Sequence, residues 1–220
     1  MNVDATREFE LELLRAGAPI VIGMDEVGRG AIAGPVTVGV CVVSTETVDA
    51  PPGLRDSKLL SAPRREALAP IVREWALVAC GSASAAEIDE LGISACLGLA
   101  GKRALIALHE LGVRVGEAVV LLDGSHNWLA PALSSPLRVV TRTKADRDCA
   151  VVAGASVVAK VERDGVMVAL SAEHAGYGWE GNKGYGSAGH FDAIQRLGVT
   201  DQHRRTWLHA KPGVGLPHDG

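Results

Sequence analysis

Residues 19–43 read Pro-Ile-Val-Ile-Gly-Met-Asp-Glu-Val-Gly-Arg-Gly-Ala-Ile-Ala-Gly-Pro-Val-Thr-Val-Gly-Val-Cys-Val-Val. Two apolar runs, Pro19–Met24 and Val36–Val43, predict strands, and only a short Gly-rich turn parts them. A step that direct leaves no room for a crossover helix, so part of the sheet is antiparallel. The turn opens with Asp25-Glu26-Val27-Gly28-Arg29-Gly30. Asp25 and Glu26 are hard oxygen donors of the kind Mg²⁺ or Mn²⁺ prefers. Gly28 and Gly30 let the main chain approach a ligand closely, and Arg29 adds a fixed positive charge. Carboxylates, exposed backbone and an arginine at one strand end suit metal-assisted chemistry on a phosphate.

Outward from this stretch, helices alternate with strands. Residues 5–16 predict a short amphipathic helix, Ala62–Glu74 a second, and Ile93–Leu111 a longer one. Ser84 with Glu87 forms a capping box that opens a helix between them. Further strands are expected at Trp75–Cys80, Ala118–Leu122 and Leu137–Thr141, and a long helix with a small-residue face at Asp148–Leu170. Helices over Ser187–Leu197 and near Asp201–Leu208 follow. The pattern predicts an α/β layered fold, a mixed five-stranded sheet flanked by helices. With no repeat or linker, one domain is expected over residues 1–220: a core at about 18–170, a C-terminal helical region at about 171–210 and a tail over 211–220.

The 220 residues are 47% hydrophobic but only 4% aromatic, so Val, Leu and Ala must build the core. A net charge of −4 excludes a globally basic nucleic-acid coat. A local basic face is available over 138–163, where Arg138, Arg142, Lys144, Arg147, Lys160 and Arg163 outnumber Asp146, Asp148 and Glu162. Four dispersed cysteines without a Cys-x-x-Cys pair read as reduced thiols. The start is too acidic for a secretory signal, and Cys149–Ala159 is too short to span a bilayer. A cytoplasmic protein away from membranes is expected.

The glycines after Glu26 mimic a dinucleotide fingerprint, but that motif must open a helix, and here Gly34-Pro35 leads into a β-branched run. Asp123, like Asp25, ends an apolar strand. It reads as a turn residue or as a second carboxylate brought beside Asp25 if the two strands are neighbours. Asp146 and Asp148 sit where a helix favours acids, with Lys144 and Arg147 able to face a phosphate. Ser156, Lys160 and Asp164 share one helical face, as a ligand row or a solvated ion-pair stripe. Ser57 and Lys58 could bind a phosphate oxygen. Tyr185, between Gly184 and Gly186, is a turn residue or a surface on which a sugar stacks. His203-Arg204-Arg205 reads as a surface cluster.

Taken in order, Asp25–Gly30, Asp56–Leu60, Leu122-Asp123-Gly124, Lys144-Ala145-Asp146, Ala155–Asp164, Gly184-Tyr185 with His190, and His203-Arg204 resemble the type 2 ribonucleases H, the bacterial ribonuclease HII family. The resemblance runs from about Ile20 to Trp207. It implies a ribonuclease H-like fold and an endonuclease that cuts the RNA strand of RNA·DNA hybrids and single ribonucleotides in duplex DNA. Asp25, Glu26, Asp123 and Asp146 would be catalytic and hold two divalent ions, Mn²⁺ or Mg²⁺, with Asp148 the rival for the fourth position. Gly28, Arg29 and Gly30 would meet the ribonucleotide's phosphate and 2′-hydroxyl, and Tyr185 its ribose. Ser57, Lys58, Lys144, Ser156 and Lys160 complete the expected substrate contacts. A monomer is expected, and no protein partner is deducible. Ala145, Gly186 and Ser125 depart from the family's usual Gly, Pro and Asn without removing a ligand; Gly186 could loosen the tyrosine loop. A branched-DNA nuclease of the same architecture and a non-catalytic binding domain are the competing classes.

Overall fold

The structure, a computed structural model, describes residues 4–208. The expected tail over 211–220 lies outside the described residues. Five strands form one sheet in the order β3-β2-β1-β4-β5: β1 Val21–Val27, β2 Val36–Val43, β3 Leu77–Ala83, β4 Val119–Asp123 and β5 Arg138–Arg142. β1 pairs antiparallel with β2, as the short turn requires, and parallel with β4. The helices are α1 Glu8–Arg15, α2 Ala62–Trp75, α3 Ala85–Leu91, α4 Ile93–Glu110, α5 Ala145–Asp148, α6 Ala150–Glu173, α7 Trp179–Asn182, α8 Ala188–Leu197 and α9 Arg205–Leu208.

Each sheet face carries its own core. Ile22, Met24, Val38, Val40, Val120 and Leu122 pack against Leu97, Ala100, Ala104 and Leu108 of α4. Val21, Cys41, Val43 and Leu121 turn the other way, onto Val151, Val152, Ala155 and Val158 of α6, with α2 behind them. Both faces are covered, which is why β1, β2 and β4 read as nearly continuous apolar runs rather than alternating ones.

α6 sits unusually close to the sheet because glycines face it. A Cβ on Gly23 would stand 2.5 Å from the Val151 carbonyl carbon, and one on Gly39 would strike the Ala155 carbonyl oxygen. The small-residue face expected of the long helix therefore has its counterpart in the strands. The start of α6 is pinned as well: the Val151 N–H donates to the buried Glu10 carboxylate of α1 at 2.8 Å.

The long helix expected over Asp148–Leu170 is α6, which begins two residues later and is preceded by the separate short α5. Cys149 adopts an extended conformation and bridges to Thr6, ending α5 and capping α6. β1 also runs further than its apolar stretch, because Asp25 and Glu26 keep pairing with Gly39 and Val38. The C-terminal region forms a third core, in which Ile32, Ala33, Met167, Tyr177, Trp179 and Ile194 meet. His203-Arg204, expected at the surface, is buried here. His203 Nε2 lies 3.2 Å from His190 Nε2, and the Trp179 indole N–H donates to His190 at 2.9 Å. The aromatic packing of Tyr177, Trp179 and both imidazoles accounts for the burial.

Candidate active site

The parallel register pairs Met24 with Leu122, so the next residue on each strand, Asp25 and Asp123, emerges at the same sheet end. This is where open α/β sheets place their ligands. Asp146 reaches them from α5, its N–H donating to Asp123 Oδ1 at 3.4 Å. Asp148 instead pairs with Arg142 at 3.5 Å and is exposed. The geometry thus sets Asp146, and not Asp148, beside Asp123. Glu26 stands next to Asp25 with Arg29 3.6 Å from its carboxylate.

These acids are held against their own electrostatics. Asp25 is only 4% exposed. Burial, then the neighbouring Glu26 and Asp123 charges, push its carboxyl up to about 8, although the Ser156 hydroxyl and Lys58 favour its charged form. Asp146 is raised by burial and by Asp123 and Asp56. Lys58 answers this negative charge, with Nζ 3.5 Å from Asp146 Oδ2. Burial works against its cation, yet Asp25, Asp56 and Asp146 together hold its pKa above the usual lysine value. Even with Arg29 beside Glu26 and Arg147 3.9 Å from Asp56, the acids Asp25, Glu26, Asp56, Asp123 and Asp146 outnumber the cations and leave a net demand for positive charge.

The donor set is all oxygen, which fits a hard divalent cation. Among the described residues no three His, Cys, Asp or Glu side chains are drawn tightly enough to enclose an ion as they stand. A bound cation would offset the mutual repulsion of these carboxylates when ionised.

Ser57 and Ser156, expected as substrate contacts, are both buried, and their hydroxyls share a 2.8 Å hydrogen bond. Ser156 favours the charged form of Asp25, and Ser57 bonds Ser156. Asp56, not expected among the site residues, is buried too and accepts from the Lys58 N–H at 2.9 Å. Its place in the tripeptide Asp56-Ser57-Lys58 was the available signal. Arg29, Gly30, Lys58, Lys144 and Tyr185 are exposed, and Gly28 is buried beneath them. Lys160 bonds Asp164 at 2.7 Å, the ion pair of the alternative reading, and also faces the Tyr185 ring at 5.8 Å. Gly186 leaves little slack, since a Cβ there would stand 3.0 Å from the Phe191 ring.

A family profile for Ribonuclease HII matches residues 22–210. The chain belongs to the ribonuclease HII family. Similar curated proteins are the Ribonuclease HII of Streptomyces avermitilis, 47% identical over 88% of this chain and 78% of that one, and that of Paracoccus denitrificans, 44% identical over 91% of each. Among solved structures, the fold resembles the ribonuclease H2 of Pyrococcus horikoshii OT3, with a TM-score of 0.66, 24% identity, and 86% and 93% of the two chains covered. It also resembles the RNase HII solved in complex with PCNA from Archaeoglobus fulgidus, with a TM-score of 0.64, 25% identity, and 86% and 95% covered.

As a ribonuclease HII the chain is a hydrolytic endonuclease with ribonuclease H activity on a nucleic-acid substrate. The family depends on divalent metal. None of the described helices is long and apolar enough to cross a membrane.

Proposed function

We propose that this ribonuclease HII cuts on the 5′ side of a ribonucleotide, in RNA·DNA hybrids and at single ribonucleotides within duplex DNA, leaving a 3′-hydroxyl and a 5′-phosphate. The observation that carries the site is the buried Asp25 at one strand end with Asp123 at the next, Asp146 bonded alongside. Asp25, Glu26, Asp123 and Asp146 would hold two divalent ions, Mg²⁺ or Mn²⁺, which when bound supply an acidified water and neutralise charge at the scissile phosphate.

The chain's own residues do the rest. Arg29 and the main chain of Gly28 and Gly30 meet the ribonucleotide's phosphate and 2′-hydroxyl. Lys58, Lys144 and Lys160 bind flanking phosphates as point charges. Tyr185, 37% exposed, presents a ring face to the ribose. Selection of RNA over DNA rests on the 2′-hydroxyl, the one sugar group that differs. We further propose a single catalytic domain that acts as a monomer. Its proposed setting is the cytoplasm, which suits four unpaired cysteines.

The test is cleavage of a labelled duplex carrying one ribonucleotide, with Mg²⁺, Mn²⁺ or EDTA, beside the all-DNA duplex. One metal-dependent cut 5′ of the ribonucleotide is expected. Cleavage of branched or all-DNA substrates in its place overturns the substrate assignment.

Tyr185→Ala should lower kcat/KM at the embedded ribonucleotide about tenfold, the worth of roughly one good contact. Its melting temperature should stay within about 2 °C of the parent, since an exposed ring contributes little packing. An unchanged kcat/KM removes Tyr185 from the recognition surface.

A further inference from the structure

Two arginines, Arg163 on α6 and Arg204 just before α9, have no solvent exposure. Burying a guanidinium is costly unless its nitrogens find acceptors, and here main-chain carbonyls accept from every nitrogen of both. Arg163 donates through Nε to Pro35 at 2.8 Å, through Nη1 to Lys183 at 2.9 Å and through Nη2 to Ala33 at 3.2 Å. Arg204 donates to the carbonyls of Gly28 at 2.6 Å, Arg29 at 2.9 Å and Gly34 at 3.1 Å.

These acceptors lie on two segments far apart in sequence. One is the loop that begins Gly28-Arg29-Gly30, and the other is the loop that presents Tyr185. Arg163 alone of the two arginines donates to both. Its guanidinium also lies 5.4 Å from the centre of the Tyr185 ring. The loops are locked together directly as well, with the N–H groups of Ile32 and Ala33 donating to the Gly184 carbonyl at 2.9 and 3.1 Å.

The packing at this joint has no slack. Gly28 has φ +81°, and a Cβ there would run into the Arg163 guanidinium. Lys183, whose carbonyl Arg163 holds, sits in the left-handed region at φ 52°, a strained conformation for a residue with a side chain. Strain of this kind persists only where its surroundings over-determine it. A planar fork with donors in fixed directions can do that, whereas an ammonium on a flexible stem cannot.

We infer that Arg163 is a positioning residue for substrate selection: it fixes the gap between the Gly28-Arg29-Gly30 loop and the Tyr185 ring, and so sets how strictly a 2′-hydroxyl is required. This rests on the proposal that those two elements meet the ribonucleotide. A misplacement of about 1 Å in a binding constellation is enough to cost one to two orders of magnitude in rate.

The experiment compares Arg163→Lys and Arg163→Gln with the parent, each alone and combined with Tyr185→Ala, using the duplex with one ribonucleotide. Two quantities are read: kcat/KM at the ribonucleotide, and the inhibition constant of the all-DNA duplex as competitor. Arg163→Lys should lose about tenfold or more in kcat/KM with the competitor constant unchanged, because the lost contact needs the 2′-hydroxyl. Adding Tyr185→Ala should then cost at least about fivefold less than it does in the parent. Parent-like cleavage by Arg163→Lys, penalties that simply multiply, or equal weakening of the all-DNA competitor overturns the inference. So does loss of the far-UV circular dichroism signal in both variants, which makes the residue structural only. Failure of the parent itself to cut at the ribonucleotide strikes the proposed function instead.

Discussion

Asp25→Asn and Asp123→Asn are each expected to abolish cleavage, by on the order of 10³-fold or more, while binding of the duplex survives. Asn keeps the shape of Asp25 and can still accept the Glu26 N–H, which bonds Oδ1 at 2.9 Å. What it removes is the charge on which a divalent ion depends. Asp25→Asn should also raise stability when metal is withheld. The Asp25 carboxyl sits at about 8 in the folded chain against an ordinary value of 3.8, chiefly because it is buried and then because Glu26 and Asp123 face it. A carboxyl raised in this way contributes its stability in full below about pH 4 and loses it as pH rises through about 8. In EDTA the parent's melting temperature should therefore fall across that window, and Asp25→Asn should flatten the fall. Adding Mg²⁺ or Mn²⁺ should lift the parent's melting temperature at pH 8 and leave the variant's nearly unmoved. Full activity in either variant, or a metal-induced shift as large in Asp25→Asn as in the parent, removes these carboxylates from the metal site.

The carboxylate arrangement was legible because it follows from strand ends. "Apolar run, then acid" at Asp25 and Asp123 needs only that β1 and β4 be neighbours, and they are, in parallel register. Asp146 and Asp148 could not be separated by composition, since both lie in the first turn of α5. What divides them is where each faces: the Asp146 N–H bonds Asp123, while Asp148 turns outward to Arg142. The hidden part of the site is its buried polar scaffold. Ser57, Ser156, Arg163 and Arg204 look like surface residues because a sequence gives polarity and not depth. Arg204 in particular sits in a basic cluster, yet its partners are carbonyls, which every residue possesses and no sequence pattern marks. The glycines of β1 and β2 were similarly opaque. Gly23 and Gly39 interrupt apolar strands and would ordinarily count as weak points, until α6 is seen to lie against them.

Gly23→Ala should destabilise the protein by about 3 kcal/mol or more, although it adds one methyl group to an apolar strand. The new Cβ would stand 2.5 Å from the Val151 carbonyl carbon, 2.6 Å from its oxygen and 2.7 Å from its Cγ1. Two of those atoms are helix backbone, which has no rotamer to change, so either α6 lifts or β1 bends. Neither is free: Glu10 fixes the start of α6 through the Val151 N–H, and β1 is paired on both edges. For a chain of this length the loss corresponds to a melting temperature lower by about 10 °C. Lifting α6 would also carry Ser156 away from Ser57 and Asp25, so activity should fall by more than the unfolded fraction explains. Gly165→Ala supplies the contrast on the same helix. Nothing lies within 4 Å of a Cβ at that position, and alanine there should stabilise by about 0.5–1 kcal/mol through its helical preference alone. Opposite signs for the same substitution would locate the constraint in the contact between α6 and β1. A Gly23→Ala protein that melts with the parent would mean that helix and strand can part at no cost, and that the close approach does not hold the site together.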